Sequence, residues 1–204
     1  MIQIYDDILT KDLIEKLEQD YQRQEKNYHF SPGTLGQTRH HYKDARVLDS
    51  IQFVNVIKGD NEIFDNESFK NVNMILKQIT KKLSMVFSDP ARVKYNILPR
   101  STKTDEEEFC FHEPHVDLPA EHYVLIYYVN DADGPTYIFK ETVENVPFDD
   151  RVAVEKFTVK EIIHPKKGRI ALFDGKHYHS SSNPISHSHR AIINIDVLKK
   201  NVIF

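Results

Sequence analysis

The sequence predicts a mainly β protein with helices at its N-terminus, an α+β arrangement in which a β-sandwich or barrel carries two helices on one side. Three observations support this. Two stretches before Pro90 repeat apolar residues at helical spacing. From Arg92 onward the apolar period falls to two. About eight short segments of that second kind then follow one another, separated by turn residues. At 204 residues the chain fits one domain spanning 1–204, with 1–90 as a helical support region and 91–197 as the β core. A chain of this length buries roughly 70% of its unfolded surface.

Residues 2–5 alternate as a short strand. Thr10 suits a helix N-cap, Asp12 and Glu15 favour the positive end of the dipole, and Leu13, Ile14, Leu17 and Tyr21 form a stripe, so 11–25 reads as a helix. Residues 27–46 are polar and broken by Pro32, Gly33 and Gly36, which predicts a loop. His29, His40 and His41 lie in it, as solvated residues or as part of a lid over a substrate. Residues 47–57 fit a strand or a short helix. The second helix is marked by Phe69, Val72, Leu76, Ile79, Leu83 and Val86 on one stripe, with caps at 65–68 and a stop at Asp89-Pro90.

Strands are expected at 92–98, 109–113, 122–129, 136–140, 151–163 and 168–173, then near 177–181 and at 190–197. Turn chemistry separates them at Asp131 to Pro135 and at Lys166-Lys167-Gly168. Residues 102–108 form an acidic, solvated excursion, and 142–150 a connection. His187 and His189 fall in a solvated turn before the last strand.

Composition narrows the function classes. Apolar residues make up 40% and aromatics 11% of the chain, which excludes disorder. The net charge of −4, with both signs interspersed, gives no footprint for duplex nucleic acid. The single cysteine, Cys110, permits no intrachain disulfide, fits a reducing compartment and reads as a small strand residue beside Phe109 and Phe111. No apolar run approaches the ~18 residues of a membrane span. Met1 to Asp7 carries acids where a secretion signal carries lysines, so a soluble, cytoplasmic protein is expected.

The chemistry concentrates between His115 and Arg190. On an extended segment residues i and i+2 share a face, so His115 and Asp117 present an imidazole and a carboxylate together. A third ligand from a distant strand completes a facial set that suits ferrous iron and leaves positions open. His177 and His179 both qualify, and alternation does not choose between them. His112 and His115 have the spacing of a zinc-type pair, but Pro114 between them breaks the helix that such spacing requires.

The ligand candidates sit in an ordered series. Arg92-Val-Lys-Tyr95-Asn96 precedes them, and Leu125-Ile-Tyr127-Tyr128-Val129-Asn130 follows. Then come Gly134-Pro-Thr136-Tyr-Ile-Phe139, Pro165-Lys-Lys-Gly168-Arg-Ile-Ala-Leu-Phe173, His179 and Arg190. Over residues 90–197 this order resembles the 2-oxoglutarate- and Fe(II)-dependent dioxygenases, most closely their prolyl 4-hydroxylase-like branch. The resemblance implies a double-stranded β-helix (a jelly roll, cupin-like) with two helices packed on its major sheet. It implies that His115, Asp117 and His179 bind iron, His179 being preferred because His-Ser-Ser-Ser-Asn-Pro matches the family's histidine-then-proline tail. Arg190 would pair with the distal carboxylate of 2-oxoglutarate, Tyr128 would bond the same carboxylate, and Tyr95 would line the cosubstrate pocket.

The implied activity is hydroxylation of a C–H bond with release of succinate and carbon dioxide. Fe(II), 2-oxoglutarate and O2 would take part, with ascorbate as reductant. The substrate would be a peptidyl proline or a small molecule, and the protein a monomer or weak dimer. Gly134-Pro135-Thr136 departs from the family's commoner Gly-Gly-x-Thr. Asp196 stands where the nucleic-acid demethylase branch carries arginine, which disfavours a base as substrate. The alternative is a cupin-like metal-binding protein or isomerase without dioxygenase activity.

Overall fold

The computed structural model describes residues 2–31, 50–59, 61–101, 111–146 and 157–203. The chain opens with β1 (Ile2–Tyr5) and α1 (Lys11–Tyr21). α1 buries Leu13, Leu17 and Tyr21. It stops short of the predicted residue 25 because Gln22 to Lys26 offers no further apolar stripe to bury. Within the expected loop lies a strand, β2 (His29–Ser31), and the ambiguous 47–57 stretch yields β3 (Gln52–Gly59). His40 and His41 are outside the described residues.

After β4 (Glu62–Ile63), α2 (Asn66–Leu83) starts at Asp65, whose carboxylate accepts from the Ser68 amide. It ends where Ser84 turns left-handed at φ 55. That turn removes Val86 from the helical stripe and places it in β5 (Val86–Phe87), paired with β13 (Val202–Ile203).

Eight further segments build the β core. These are β6 (Arg92–Pro99), β7 (His122–Tyr128), β8 (Thr136–Thr142), β9 (Val159–Ile163), β10 (Ile170–Asp174), β11 (His177–Ser181) and β12 (His189–Leu198), with the segment from Phe111 to His115 as the eighth. That segment is not a regular strand, since Pro114 has no N–H to give. It still borders β11 through His112 N to Ser181 O at 2.7 Å and paired His115–His179 backbone bonds of 3.0 and 2.9 Å. Residues 109–110, with Cys110, and 151–156 lie outside the described residues.

The major sheet runs β1-β10-β7-β12-β6-β3-β2, with β4 on β3, and the minor sheet runs β11-β8-β9. Core strands therefore pass back and forth between two facing sheets, with β8 and β9 as the one consecutive pair of named strands in the minor sheet, which is the winding of a double-stranded β-helix. Each sheet face has its own partners. Val93, Tyr95, Tyr127, Ile193 and Ile195 point away from the minor sheet and pack with Leu13, Leu17, Ile75 and Ile79 of the helices. Val124, Ile126, Tyr128, Ala171, Phe173 and Ile192 point inward and meet Ile138 and Ile163 of the minor sheet.

Gly134 is required by close approach. A Cβ there would stand 2.4 Å from the Ser182 carbonyl, so the β7–β8 hairpin can lie against the chain leaving β11 only without a side chain. Asp133 beside it accepts from the backbone N–H groups of Ile185, Ser186 and His187 and from the His187 ring. The link from His179 to Arg190 is thus pinned to the hairpin. His189 is not in the solvated turn, because it begins β12 and lies half-buried against the Tyr21 hydroxyl at 3.1 Å.

Candidate metal centre

His115, Asp117 and His179 converge, each offering a ligand atom within 4.8 Å of the other two. His179 Nε2 stands 3.2 Å from one Asp117 oxygen, and His115 Nε2 stands 3.9 Å from the other. Two ligands about 2.1 Å from one ion and at right angles stand roughly 3 Å apart, so the set fits a small divalent ion with little movement. Burial pushes the His115 imidazole down to about 3, leaving it neutral and able to donate a lone pair. Its Nδ1 meets the Glu113 carbonyl at 3.0 Å, which turns Nε2 toward the cluster.

His177, the other candidate for the third ligand, is not in this cluster. The register between β11 and β8 slips between His177 and His179. His177 instead meets the Phe139 carbonyl through Nδ1 at 3.0 Å and Lys160 Nζ through Nε2 at 3.2 Å. His177→Ala is therefore expected to leave metal affinity within about twofold of the parent protein, checked by titrating Mn(II) against both; this is within the ordinary effect of a change away from the site. His112 does not pair with His115 either. It is buried between Ser181 Oγ at 3.1 Å and Asn183 Oδ1 at 2.5 Å, and burial lowers its imidazole to about 4.

Arg190 enters the same interior two strand-pairs deeper. It is 1% exposed, its Nη2 donates to Thr136 Oγ1 at 2.6 Å, and Tyr128 donates to that same oxygen at 2.7 Å. Its Nε has no partner, and among the described residues no carboxylate lies in ion-pair range of it. A buried, unneutralised guanidinium costs several kcal/mol unless an anion joins it. Thr136 and Tyr128 make Arg190 rigid without neutralising it.

Tyr95 is not part of this pocket. Strand parity sends it to the outer face, where it is fully buried under the helices and donates to Asp20 of α1 at 2.8 Å. That hydroxyl joins a charged knot of Asp20, Lys26, Asp65 and Ser68 which ties the end of α1 to the start of α2. Tyr95→Phe is accordingly expected to cost about 1–2 kcal/mol in a urea melt and to leave 2-oxoglutarate affinity unaltered.

The inward positions of β6 are Arg92, Lys94 and Asn96, which stand opposite Asp196, Asn194 and Ile192 of β12. Arg92 bonds both Asp117 and Asp196, the latter at 2.8 Å, and Asn194 Nδ2 donates to Asp117 at 3.0 Å. The carboxylate ligand is thus oriented from two strands. Burial, followed by the Asp117 charge, pushes the Asp196 carboxyl up to about 7, while Arg92 pulls it back. These supporting residues were missed in the sequence. Their signal was parity: polar residues alternate with Val93, Tyr95 and Ile97 on one strand and with Ile193, Ile195 and Val197 on the other.

No family model matches the chain, and no curated protein matches it. Solved structures do. A prolyl hydroxylase from Trichoplax adhaerens, solved with a hypoxia-inducible-factor oxygen-degradation-domain peptide fragment, is 16% identical, with 98% of this chain and 84% of that one covered at TM-score 0.55. A prolyl-4-hydroxylase from Pseudomonas putida is 13% identical over 97% of this chain and 91% of that one, TM-score 0.53. A 2OG-Fe(II) oxygenase-family oxidoreductase from Burkholderia pseudomallei is 10% identical over 96% and 84%, TM-score 0.62. The fold is that of the 2-oxoglutarate-Fe(II) oxygenases, as the sequence resemblance implies.

Proposed function

We propose that the chain is a 2-oxoglutarate- and Fe(II)-dependent dioxygenase that hydroxylates a C–H bond of a peptidyl or small-molecule substrate. The observation that carries this reading is a buried arginine with no carboxylate of its own among the described residues, facing the same interior as a His-Asp-His set. A metal-binding protein or isomerase that uses no keto acid has no need of such a residue. About 13 Å of strand separates Arg190 from Asn194, which touches Asp117, a span that an extended five-carbon diacid and two side chains can bridge.

His115, Asp117 and His179 would hold the metal by one face, leaving three positions for other ligands. Arg190, fixed by Thr136 and Tyr128, would grip the distal carboxylate of the cosubstrate at two points. Arg92 and Asn194 hold Asp117 in orientation, so the carboxylate need not reorganise when a metal arrives. Ile126, Ile192 and Phe173 line the interior with apolar surface that excludes water. Bound together, iron and 2-oxoglutarate supply the oxidising power for hydroxylation by dioxygen, with succinate and carbon dioxide as the other products.

The test is anaerobic addition of Fe(II) and then 2-oxoglutarate. A visible metal-to-ligand charge-transfer band should appear only when both are present, followed by succinate on admitting air. Failure to develop either signal would sink the reading. The solved complex of the Trichoplax enzyme with a peptide fragment supports a surface open to peptide-sized substrates. No helix among the described residues is long and apolar enough to cross a membrane.

A further inference from the structure

Among the described residues the interior carries one more cation than its charge pairings use. Among the described ionisable groups on the inward face, Arg92, Lys94 and Arg190 stand against Asp117 and Asp196. Resting on the dioxygenase reading, the pairings follow from charge. Arg190 takes the distal carboxylate of 2-oxoglutarate. A divalent metal is balanced by Asp117 and by the cosubstrate's other carboxylate. Arg92 is bonded to Asp196. Lys94 is left over. It stands opposite Asn194, whose amide donates to Asp117, and two residues along β6 from Arg92, which bonds the same carboxylate. Yet it has no hydrogen bond or ion pair among the described residues.

Its surroundings describe what would join it. Across β6 and β3, Lys94 is paired with Val56 and Asn96 with Val54, so two aliphatic side chains lie beside the ammonium on the same sheet face. Val56 is 36% exposed, which leaves this shelf open at the mouth of the barrel. The carbonyl oxygens of Asn96 and Asn194 are buried and accept no hydrogen bond. Flipping the Asn194 amide would set its oxygen against the Asp117 carboxylate, so this orphaned acceptor is not an artefact of amide orientation. A cation, two free acceptors and an aliphatic shelf therefore share one sheet face beside Asp117.

We infer that Lys94 selects the substrate by its carboxylate, and that the site takes a molecule with a carboxylate beside an aliphatic body, which rests on Val54 and Val56. A half-buried ammonium gains little from a neutral amide and more from a carboxylate, because only the charged group repays its partial desolvation. The carboxylate can belong to a free organic acid or to an acidic residue of a peptide. The chemistry at Lys94 is the same.

The experiment uses the full chain loaded with Mn(II), which does not turn over, and saturated with 2-oxoglutarate so that Arg190 is occupied. Calorimetry first measures 2-oxoglutarate binding. It then measures pentanoate against pentanamide, cyclopentanecarboxylate against its carboxamide, and an N-acetyl-Glu-Val amide against the glutamine counterpart. We expect at least one acid to bind ten times or more tightly than its amide, with the preference lost in Lys94→Met and retained in Lys94→Arg. Preference for the free acids alone identifies a small-molecule substrate, and preference for the glutamyl peptide a peptide one. Equal binding of every acid and amide, absence of binding by all of them, or a preference that survives Lys94→Met overturns the inference while the dioxygenase reading stands. If 2-oxoglutarate itself fails to bind, that reading falls and the inference falls with it.

Discussion

His179→Ala is expected to abolish succinate formation and to lower metal affinity by at least about a hundredfold, the larger end of what loss of a ligand or its support produces. The reason is geometric. His179 contributes the ligand atom nearest Asp117, at 3.2 Å, and it is the member supplied by the other side of the site, on β11. With only His115 and Asp117 left, both on one short segment, a metal would have two protein ligands and would dissociate readily. Mn(II) or Co(II) titration reads the affinity directly, apart from turnover. Retention of parent-like affinity in His179→Ala, with loss in His177→Ala, would overturn the ligand assignment.

Arg190→Met separates function from stability in opposite directions. For 2-oxoglutarate the apparent KM should rise by ~10–100-fold, the weight of a charge-assisted pair of about 1.5–3 kcal/mol. In the absence of cosubstrate the variant should melt at or above the parent temperature. Arg190 is fully buried with one nitrogen unpartnered and no carboxylate beside it among the described residues. A methionine fills similar space without a charge to desolvate. Adding 2-oxoglutarate with Mn(II) should then stabilise the parent more than the variant, because a ligand raises stability in proportion to the logarithm of its saturation. A lower melting temperature together with an unchanged KM would show that Arg190 is structural. The pairing of gained stability with lost affinity distinguishes a binding site from a core residue.

Much of this site could be read along the chain. His-x-Asp on an extended segment, a distal histidine and a basic residue at the head of the last long strand are local patterns, and each is found where it was expected. Tyr128, expected to bond the cosubstrate carboxylate, lies inward beside Thr136, whereas Tyr95, expected to line the same pocket, lies on the outer face. Which parity faces the interior is set strand by strand by the connections and the pairing, and a single sequence does not state it. Once one inward residue of β6 is known, the rest follow: Arg92, Lys94 and Asn96 share that face, and Tyr95 cannot.

The sequence by itself determined the succession of two helices and a series of short strands, because hydrophobic period and turn chemistry act over a few residues. It also determined which residues were chemically able to bind a metal and an anion. Tertiary structure decided the remainder. The contacts of β11 with its neighbours held His177 against Phe139 and Lys160 and set His179 beside Asp117. Pairing of β12 with β6 set Asp196 against Arg92, and brought Arg92 to Asp117. Closure of two sheets over Arg190 made an ordinary arginine into a buried charge that lacks an anion. These are contacts between residues far apart in the chain, and their energies depend on burial and register, which exist only after the strands have found one another.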